Sequence, residues 1–590
     1  MSERKELSTE TRSLIAAVLC LLVIAGWSLI YKPPQPTPTK LNPATTTPAS
    51  ASAAASASAT SGASSPTPSQ ASAKPAPSVA MHAAGEERSI VIESDLYRVQ
   101  ISNRGAVVRS WLLRKFTDDH TPPRTLDLVH PEAAQQEGGW PFSLALDDPQ
   151  QESAVNNALF EIKSSGTVPA AGAVLRPPAE VAFTWSDGHL EVFKRMKFSE
   201  SYIVDVQTSV SLDGKPLEYG LAWRGGFGDA TAYRAALQTQ VFDSAATKLN
   251  TLAAKNLGKS GQPALRATIP GTFDYAGIED LYFAAAFLPP AQSAAASLQP
   301  GFTLTGWTSQ HDTTGTDGKT ETETVPEIAV GFSSPGPMDL RMYIGPKSID
   351  GLKAVRPPLN GLVQFGWRGF IAEPLFYGLR WLYRYVPNYG WAIVLLTVGI
   401  NMVMFPLKVK SMRAMQKMQK VAPEIKSIQE RYKKYSMRDP RKAEMNKEVM
   451  AVYSREGINP LGSCWPMLIQ MPIWMGLYSM LAYTIELRHA QWFGWVHDLS
   501  ARDPYYILPI VVAATMFLVQ KMTPAPGMDP AQAKMMAMMP LMMGGMFALS
   551  PSGLQLYILA SNLVAMIQQW YLTRTMPPPA KPSRGPGKKK

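Results

Sequence analysis

The run at residues 391–407, WAIVLLTVGINMVMFPL, constrains this chain most, because with Asn388, Tyr389 and Gly390 it reaches bilayer length while carrying an amide. Asn401 precedes Leu407 by six residues. At about 1.5 Å per residue, that is roughly 9 Å inside one face of the hydrocarbon. An unpaired amide in lipid costs several kcal/mol, so Asn401 is expected to face other helices or a wet cavity. Two readings stand: a hydrogen bond that packs helices, or a group lining a polar hollow within the membrane.

Four further apolar runs follow, at about 460–485, 505–522, 533–549 and 552–572, and one precedes, at 14–31. Six spans place both termini on one side. The segment 408–455 carries 14 Lys/Arg against 5 Asp/Glu, and the tail from Arg574 carries 6 basic and no acidic residues. The positive-inside bias puts both in the cytoplasm, and the loop 486–504, with Glu486, Asp498 and Asp503 against Arg488 and Arg502, outside. The net charge of +11 gathers beside apolar spans, which favours membrane orientation over nucleic-acid binding.

The chain, 590 residues long, has room for several domains, and a near-zero mean hydropathy averages a soluble half with a membrane half. Residues 1–31 read as an uncleaved transmembrane anchor, since only YKPPQP follows the apolar run and no small-residue cleavage site does. Residues 32–87 are a disordered Ala/Ser/Pro linker, too poor in apolar side chains to fold. Residues 88–360 read as a large extracytoplasmic β-sandwich: Tyr97, Val99 and Ile101 alternate with polar residues, as do Tyr202, Val204, Val206, Thr208, Val210 and Leu212. Turn signals such as Asn103-Arg104-Gly105, Ser186-Asp187-Gly188 and Asp213-Gly214 separate short strands. Both cysteines, Cys20 and Cys464, fall in apolar runs, so this domain is expected to hold by packing alone. Gly258-Lys259-Ser260 and Gly318-Lys319-Thr320 mimic phosphate loops but lack the glycine five positions earlier, where Ala253 and Thr313 stand.

Residues 361–388, rich in Trp and Arg and divided by Pro374, suit an amphipathic helix in the headgroup plane. Residues 389–573 form a five-span helical core that includes a cytoplasmic hairpin at 408–455, and 574–590 are a basic tail. In the hairpin Met412, Met415 and Met418 recur at helical spacing. They are either coiled-coil packing or an adaptable surface that captures apolar segments. The run 460–485 contains Pro466 and Pro472, each expected to bend the helix, with Gln470 between them. Methionines crowd 533–549, and Gln555, Tyr557, Ser561, Asn562, Gln568 and Gln569 give the last span more polarity than a structural helix needs. No acid/base dyad, metal cluster or nucleophile triad appears among these spans, which argues against an enzyme, a metal or a cofactor. Asp and Glu are missing from the interiors of the spans at 391–407 and 505–572, which argues against proton-coupled transport.

Particular residues carry a family resemblance: Phe405-Pro406-Leu407, then Asn459-Pro460-Leu461-Gly462 with Leu468-Ile469-Gln470-Met471-Pro472-Ile473, His497-Asp498-Leu499, Asp503-Pro504-Tyr505-Tyr506-Ile507-Leu508-Pro509, and Pro551-Ser552-Gly553-Leu554 with Ser561-Asn562. With them the chain resembles the YidC membrane protein insertases, in the long form of Gram-negative inner membranes. The likeness is strongest over 363–573 and rests on layout alone over the sandwich. It implies an insertase and chaperone that receives nascent membrane proteins in a hydrophilic groove open to cytoplasm and lipid, alone or with the Sec translocon. The hairpin and basic tail are candidate ribosome contacts. The family's groove residues map onto Thr397, Gln470, Met471, Trp474 and Tyr557. Where the family usually has an arginine, this chain has Asn401; Lys408 and Lys410 are candidates to supply charge from the rim, and Asn401→Arg is expected to keep or improve insertion of acidic-tailed substrates. Two other classes stand beside this one: a channel or secondary transporter with a periplasmic binding domain, and a scaffold anchoring a sugar-binding sandwich.

Overall fold

The computed structural model describes residues 80–575 apart from 121, 137–138, 165–173, 230, 232–239, 246–247, 258, 260–265, 291–300, 315–319, 364, 366–367, 436–438, 459–464 and 524–529. The expected anchor at 14–31, most of the linker, the tail beyond 575 and the Asn459-Pro460-Leu461-Gly462 motif lie outside the described residues. The described residues fall into two compact units, one of 80–346 with 353–359, the other of 347–352 with 360–575.

The first unit is a β-sandwich of three sheets. The largest runs antiparallel through Lys248–Ala253, Gln240–Ala245, Tyr275–Glu279, Phe283–Leu288, Met338–Pro346, Ile203–Leu212, Leu190–Phe198, Ala179–Ser186 and Glu161–Ser164. One five-stranded sheet is built on Tyr97–Ser102 and Val107–Thr117, and another on the long hairpin Gly301–Thr314 with Thr320–Ser334. The period-2 pattern does what the sequence predicts: Tyr97, Val99 and Ile101 are buried between exposed Arg98 and Gln100, and Val204, Val206, Thr208 and Val210 share the inner row. Thr208 belongs there because its hydroxyl meets the Tyr219 hydroxyl at 2.7 Å. Asp213 and Gly214 turn the chain with φ of 51° and 76°, as a two-residue hairpin on a right-twisted ribbon requires. Aromatic rings join the sheets, with Tyr97 6.3 Å from Phe198, Trp111 6.5 Å from Trp223 and Phe287 5.6 Å from Phe332. The fold begins earlier than residue 88: His82 bridges Ser186 and the Ala84 amide donates to Leu159, so the end of the expected linker is part of the sandwich edge.

The second unit is helical: α1 (Gly369–Tyr385), α2 (Tyr389–Arg431), α3 (Arg441–Arg455), α4 (Trp465–Tyr483), α5 (Ile507–Met522), α6 (Pro530–Phe547) and α7 (Ser552–Thr575). The five apolar runs from 391 onward map onto α2, α4, α5, α6 and α7, and α2 alone is both long and apolar enough to cross a bilayer by length and composition among the described residues. Their outward faces are greasy: Met402, Val403, Ile510, Phe517, Leu541, Met542 and Ile567 are all exposed. The buried core includes Phe376, Ile393, Leu477, Met480, Leu508, Val512, Phe547 and Leu556.

Two sequence expectations need correction. Pro374 does not divide α1, which runs through it with Ala372, Phe376 and Leu379 inward and Phe370, Trp381 and Tyr385 outward. Pro472 lies in the interior of α4, whose described residues begin at Trp465. Nor does the hairpin start a new helix at 408: its first arm is the continuation of α2, 43 residues in one piece. At about 1.5 Å per residue that rod is roughly 65 Å long, about twice the thickness of a hydrocarbon core. The far half pairs with α3 through Val421, Ile425, Ile428 and Val452, bracketed by Arg431 to Glu448 at 2.6 Å and Arg455 to Glu424 at 2.7 Å.

Candidate functional site

The quoted motifs at the loop end of the helical unit are closures. Asp503 is buried and accepts from the Leu508 amide (2.6 Å), the Tyr505 amide (3.1 Å) and Trp495 Nε1 (3.0 Å), which caps α5 and ties it to the preceding loop. Ser552 and Gly553 donate their amides to Ala501 and Leu499, so the Pro-Ser-Gly turn seats α7 on the same loop. Asn388 caps α2 by accepting from Trp391 N and reaches the Trp492 carbonyl with its Nδ2 at 3.1 Å.

With those ends fixed, α2 and α7 lie side by side and α4 touches both. A line of polar groups runs between them. Gln470 Nε2 on α4 donates to the Tyr557 hydroxyl at 3.2 Å, and Ser561 stands one turn further along α7. Asn401 Nδ2 reaches Ser561 Oγ at 3.4 Å and the Thr397 carbonyl at 2.9 Å. The line ends at Lys408, whose ammonium donates to Asn401 Oδ1 at 2.8 Å and to Gln568 Oε1 at 3.0 Å, while Gln568 Nε2 donates to the Asn401 carbonyl at 3.2 Å. Asn401 is only 2% exposed, and such a burial is tolerable because each of its polar atoms has a partner.

The expected residues divide. Gln470, Tyr557 and Asn401 belong to the line. Thr397 is buried beside it but turns its hydroxyl onto its own helix, donating to the Ile393 carbonyl at 2.7 Å. Met471 is exposed, and half-buried Trp474 packs on Tyr478 and Phe547 with ring centroids 6.2 and 6.4 Å away. In the hairpin, Met412 is buried, Met415 is half-buried and Met418 packs in the α2–α3 seam, so the three methionines lack the open face that capture of a segment needs. Ser561 and Gln568, read in the sequence only as surplus polarity, are members of the line. The signal was their spacing, since Tyr557, Ser561 and Gln568 fall at i, i+4 and i+11 on one face of α7. The other amides of α7 are structural: Asn562 meets Thr515 Oγ1 at 3.1 Å, Gln569 meets the Met522 carbonyl at 3.4 Å, and Gln555 caps α6 through the Phe547 and Ser550 carbonyls.

A model of the family described as 60Kd inner membrane protein matches residues 381–580, and one described as YidC periplasmic domain matches 89–378. The protein named membrane protein insertase YidC of Syntrophus aciditrophicus is 32% identical over 522 residues, which span 85% of this chain and 87% of that one. The chain belongs to the YidC family of membrane protein insertases. The family member of Cupriavidus necator is likewise 32% identical over 514 residues, 85% of each chain. That of Geobacter sp. strain M21 is 44% identical over 251 residues, an alignment covering 42% of this chain and 46% of its relative. Membership makes this an inner-membrane insertase rather than an enzyme, and the β-sandwich is its periplasmic domain. Nothing in the comparisons favours a transporter.

Proposed function

We propose that the polar line between α2, α4 and α7 is the wall along which the hydrophilic tail of a nascent membrane segment passes. The segment's apolar part leaves over the exposed surfaces of Met402, Val403, Leu468 and Met471. The observation that carries this reading is the row of polar groups Gln470, Tyr557, Ser561, Asn401, Lys408 and Gln568 inside helices whose outer faces are apolar. Amide and hydroxyl partners are exchangeable: a passing backbone takes over each bond as it breaks, so the tail avoids most of the several kcal/mol per unmet group that bare hydrocarbon would impose. Burial of the segment's apolar surface, at about 25 cal/mol per Å², supplies the drive without a nucleotide. In this reading the helical unit spans the membrane five times and the anchor once, with both termini and the basic 408–455 hairpin in the cytoplasm. The hairpin's 14 Lys/Arg suit ribosomal RNA or anionic lipid, and the Sec translocon remains a partner for longer substrates.

Photocrosslinkers placed singly at Gln470, Asn401 and Tyr557, and at Val403 and Leu541 on the outer faces, test this in ribosome-bound complexes. Capture of the tail at the first three positions, with the apolar segment caught at the outer ones, is expected. Tails crosslinked only from outer positions would refute it.

A further inference from the structure

A small cavity of about 200 Å³ opens in the β-sandwich, lined by Arg109, Ala134, Gln135, Trp140, Ser143 and Asn156 among others. That is below the roughly 300–1,000 Å³ of a site for a drug-sized molecule, so it suits a single small unit. Arg109 is its charged group. The guanidinium lies over the Trp140 ring, 4.3 Å from the centroid, which commits its flat face to the indole and leaves its N–H edge for another partner. Among the described residues that edge makes no hydrogen bond. The carboxylate paired with it, Glu87, stands 4.0 Å away, beyond hydrogen-bond reach, and its oxygens are already taken by Arg104 Nε and the Ser102 hydroxyl at 2.8 Å each. The Arg109 side chain is only 26% exposed, and burial is the largest influence on its charge, pulling its pKa below the ordinary arginine value. A second unmet group lines the same cavity: Ser143 is 2% exposed, and its buried hydroxyl has no partner among the described residues. The wall itself is preformed, since Asn156 grips Leu144, accepting from its amide at 2.9 Å and donating to its carbonyl at 2.7 Å, while the Ser143 amide donates to the Trp140 carbonyl at 3.1 Å.

We propose that this cavity binds a small organic carboxylate of single sugar-acid or amino-acid size, clasped by parallel N–H···O bonds from the Arg109 edge, with the Ser143 hydroxyl meeting a second polar group of the same molecule. A guanidinium edge matches a carboxylate in geometry as well as charge, and stacking on Trp140 holds that edge in place. A neutral sugar fits less well, because the Trp140 ring on which it would stack already carries the guanidinium. A bare inorganic anion would leave much of the cavity empty. The site lies wholly within the sandwich and is independent of the polar line, so it gives the periplasmic domain a ligand of its own.

The test titrates the full chain in detergent with glucuronate, with N-acetylglycine and with glucose, and reads the heat of binding by calorimetry. Saturable heat with at least one of the two acids, and none with glucose over the same range, is expected; which acid binds tells a sugar source from a peptide-like one. Arg109→Gln is expected to weaken binding of that acid about tenfold, the usual scale for loss of a charge-assisted fork, and Ser143→Ala about threefold. Arg109→Lys, which keeps the charge but not the fork, should fall between the parent and Arg109→Gln. Arg98→Gln, which removes an exposed arginine on the neighbouring strand, should bind as the parent does. No saturable heat with either acid, glucose binding as tightly as glucuronate, or unchanged affinity in Arg109→Gln would each overturn the proposal. So would equal displacement of the acid by sodium sulfate, the mark of a bare anion contact. If Arg109→Gln misfolds, Arg109→Lys and Ser143→Ala carry the test, and unchanged affinity in both overturns it equally.

Discussion

An amide in the middle of an apolar run is rare enough that Asn401 stands out on the sequence alone, yet its partner does not. Whether Lys408 snorkels outward or bends back is a choice of rotamers that a one-dimensional pattern does not contain, and only the 2.8 Å contact decides it. That contact reverses one expectation drawn from the sequence. With Lys408 already present, Asn401→Arg sets two cations within a few Å in partly desolvated surroundings, so the single variant is expected to lose stability and insertion, while Asn401→Arg combined with Lys408→Gln keeps both. Thermal unfolding of the two proteins in detergent checks this. In the periplasmic domain the decisive residues are also paired. His130 Nδ1 lies 3.1 Å from Glu327 Oε1, its Nε2 lies 3.0 Å from the Gly228 carbonyl, and both side chains are buried. Burial opposes the imidazole's charge, but the Glu327 carboxylate, the Gly228 carbonyl and Asp127 outweigh it and push His130 up to about 9. A raised pKa stabilises the fold fully below the unfolded value near 6.5, and the contribution is lost as pH climbs through about 9. Lys194 runs the other way. Burial presses it down to about 7 although its ammonium donates to the Gly105, Phe142 and Ala106 carbonyls at 2.7, 2.8 and 3.3 Å, so its cost is relieved as pH rises above 7. The difference between the parent chain and His130→Asn therefore isolates the histidine. The gap in the denaturation midpoint of the β-sandwich is expected to be widest near pH 6 and to shrink by pH 9.5.

At the scale of elements, two glycines of α2 make opposite predictions. A β-carbon on Gly390 would fall 2.1 Å from Cδ1 of Trp492, in the loop that Asn388 also holds, whereas one on Gly399 would meet nothing within 4 Å. Gly390→Ala is expected to cost about 1–3 kcal/mol by overpacking and to loosen the end of the span, while Gly399→Ala is neutral or gains up to about 1 kcal/mol from helix propensity. Chemical denaturation of both variants in detergent measures the contrast. These elements were legible to different degrees, for physical reasons. Apolar runs of bilayer length map directly onto helices, because hydrocarbon leaves the backbone no partner except itself. Prolines were less readable: Pro374 reads as a break in the sequence, yet α1 carries it without stopping. The continuation of α2 past Leu407 has no sequence mark, since the basic stretch that follows is itself a good helix former.

For the whole molecule, the two units divide the work. The strand alternation and turn residues of the sandwich were readable because half-buried strands must alternate, whereas its three-sheet arrangement depends on long-range pairings that local pattern does not encode. All of the polar line lies in the helical unit, so deletion of residues 90–340 is expected to leave insertion of short-tailed substrates within about twofold of the full chain; near-complete loss in vesicles would assign the sandwich a part in insertion itself. The central claim is that the line is reached by water from the cytoplasmic side when a substrate arrives. Asn401 and Thr397 are buried at 2% and 1% exposure, so access of water to them must be observed directly. The most direct measurement is labelling of single cysteines at 397, 401 and 470, in a chain freed of Cys20 and Cys464, by a membrane-impermeant maleimide added from the cytoplasmic face with and without a stalled nascent chain. Labelling at all three positions that changes when the nascent chain engages is expected. Three positions that stay unlabelled from that face in both states, in protein that still inserts its substrates, would make these amides ordinary helix packing and contradict the groove.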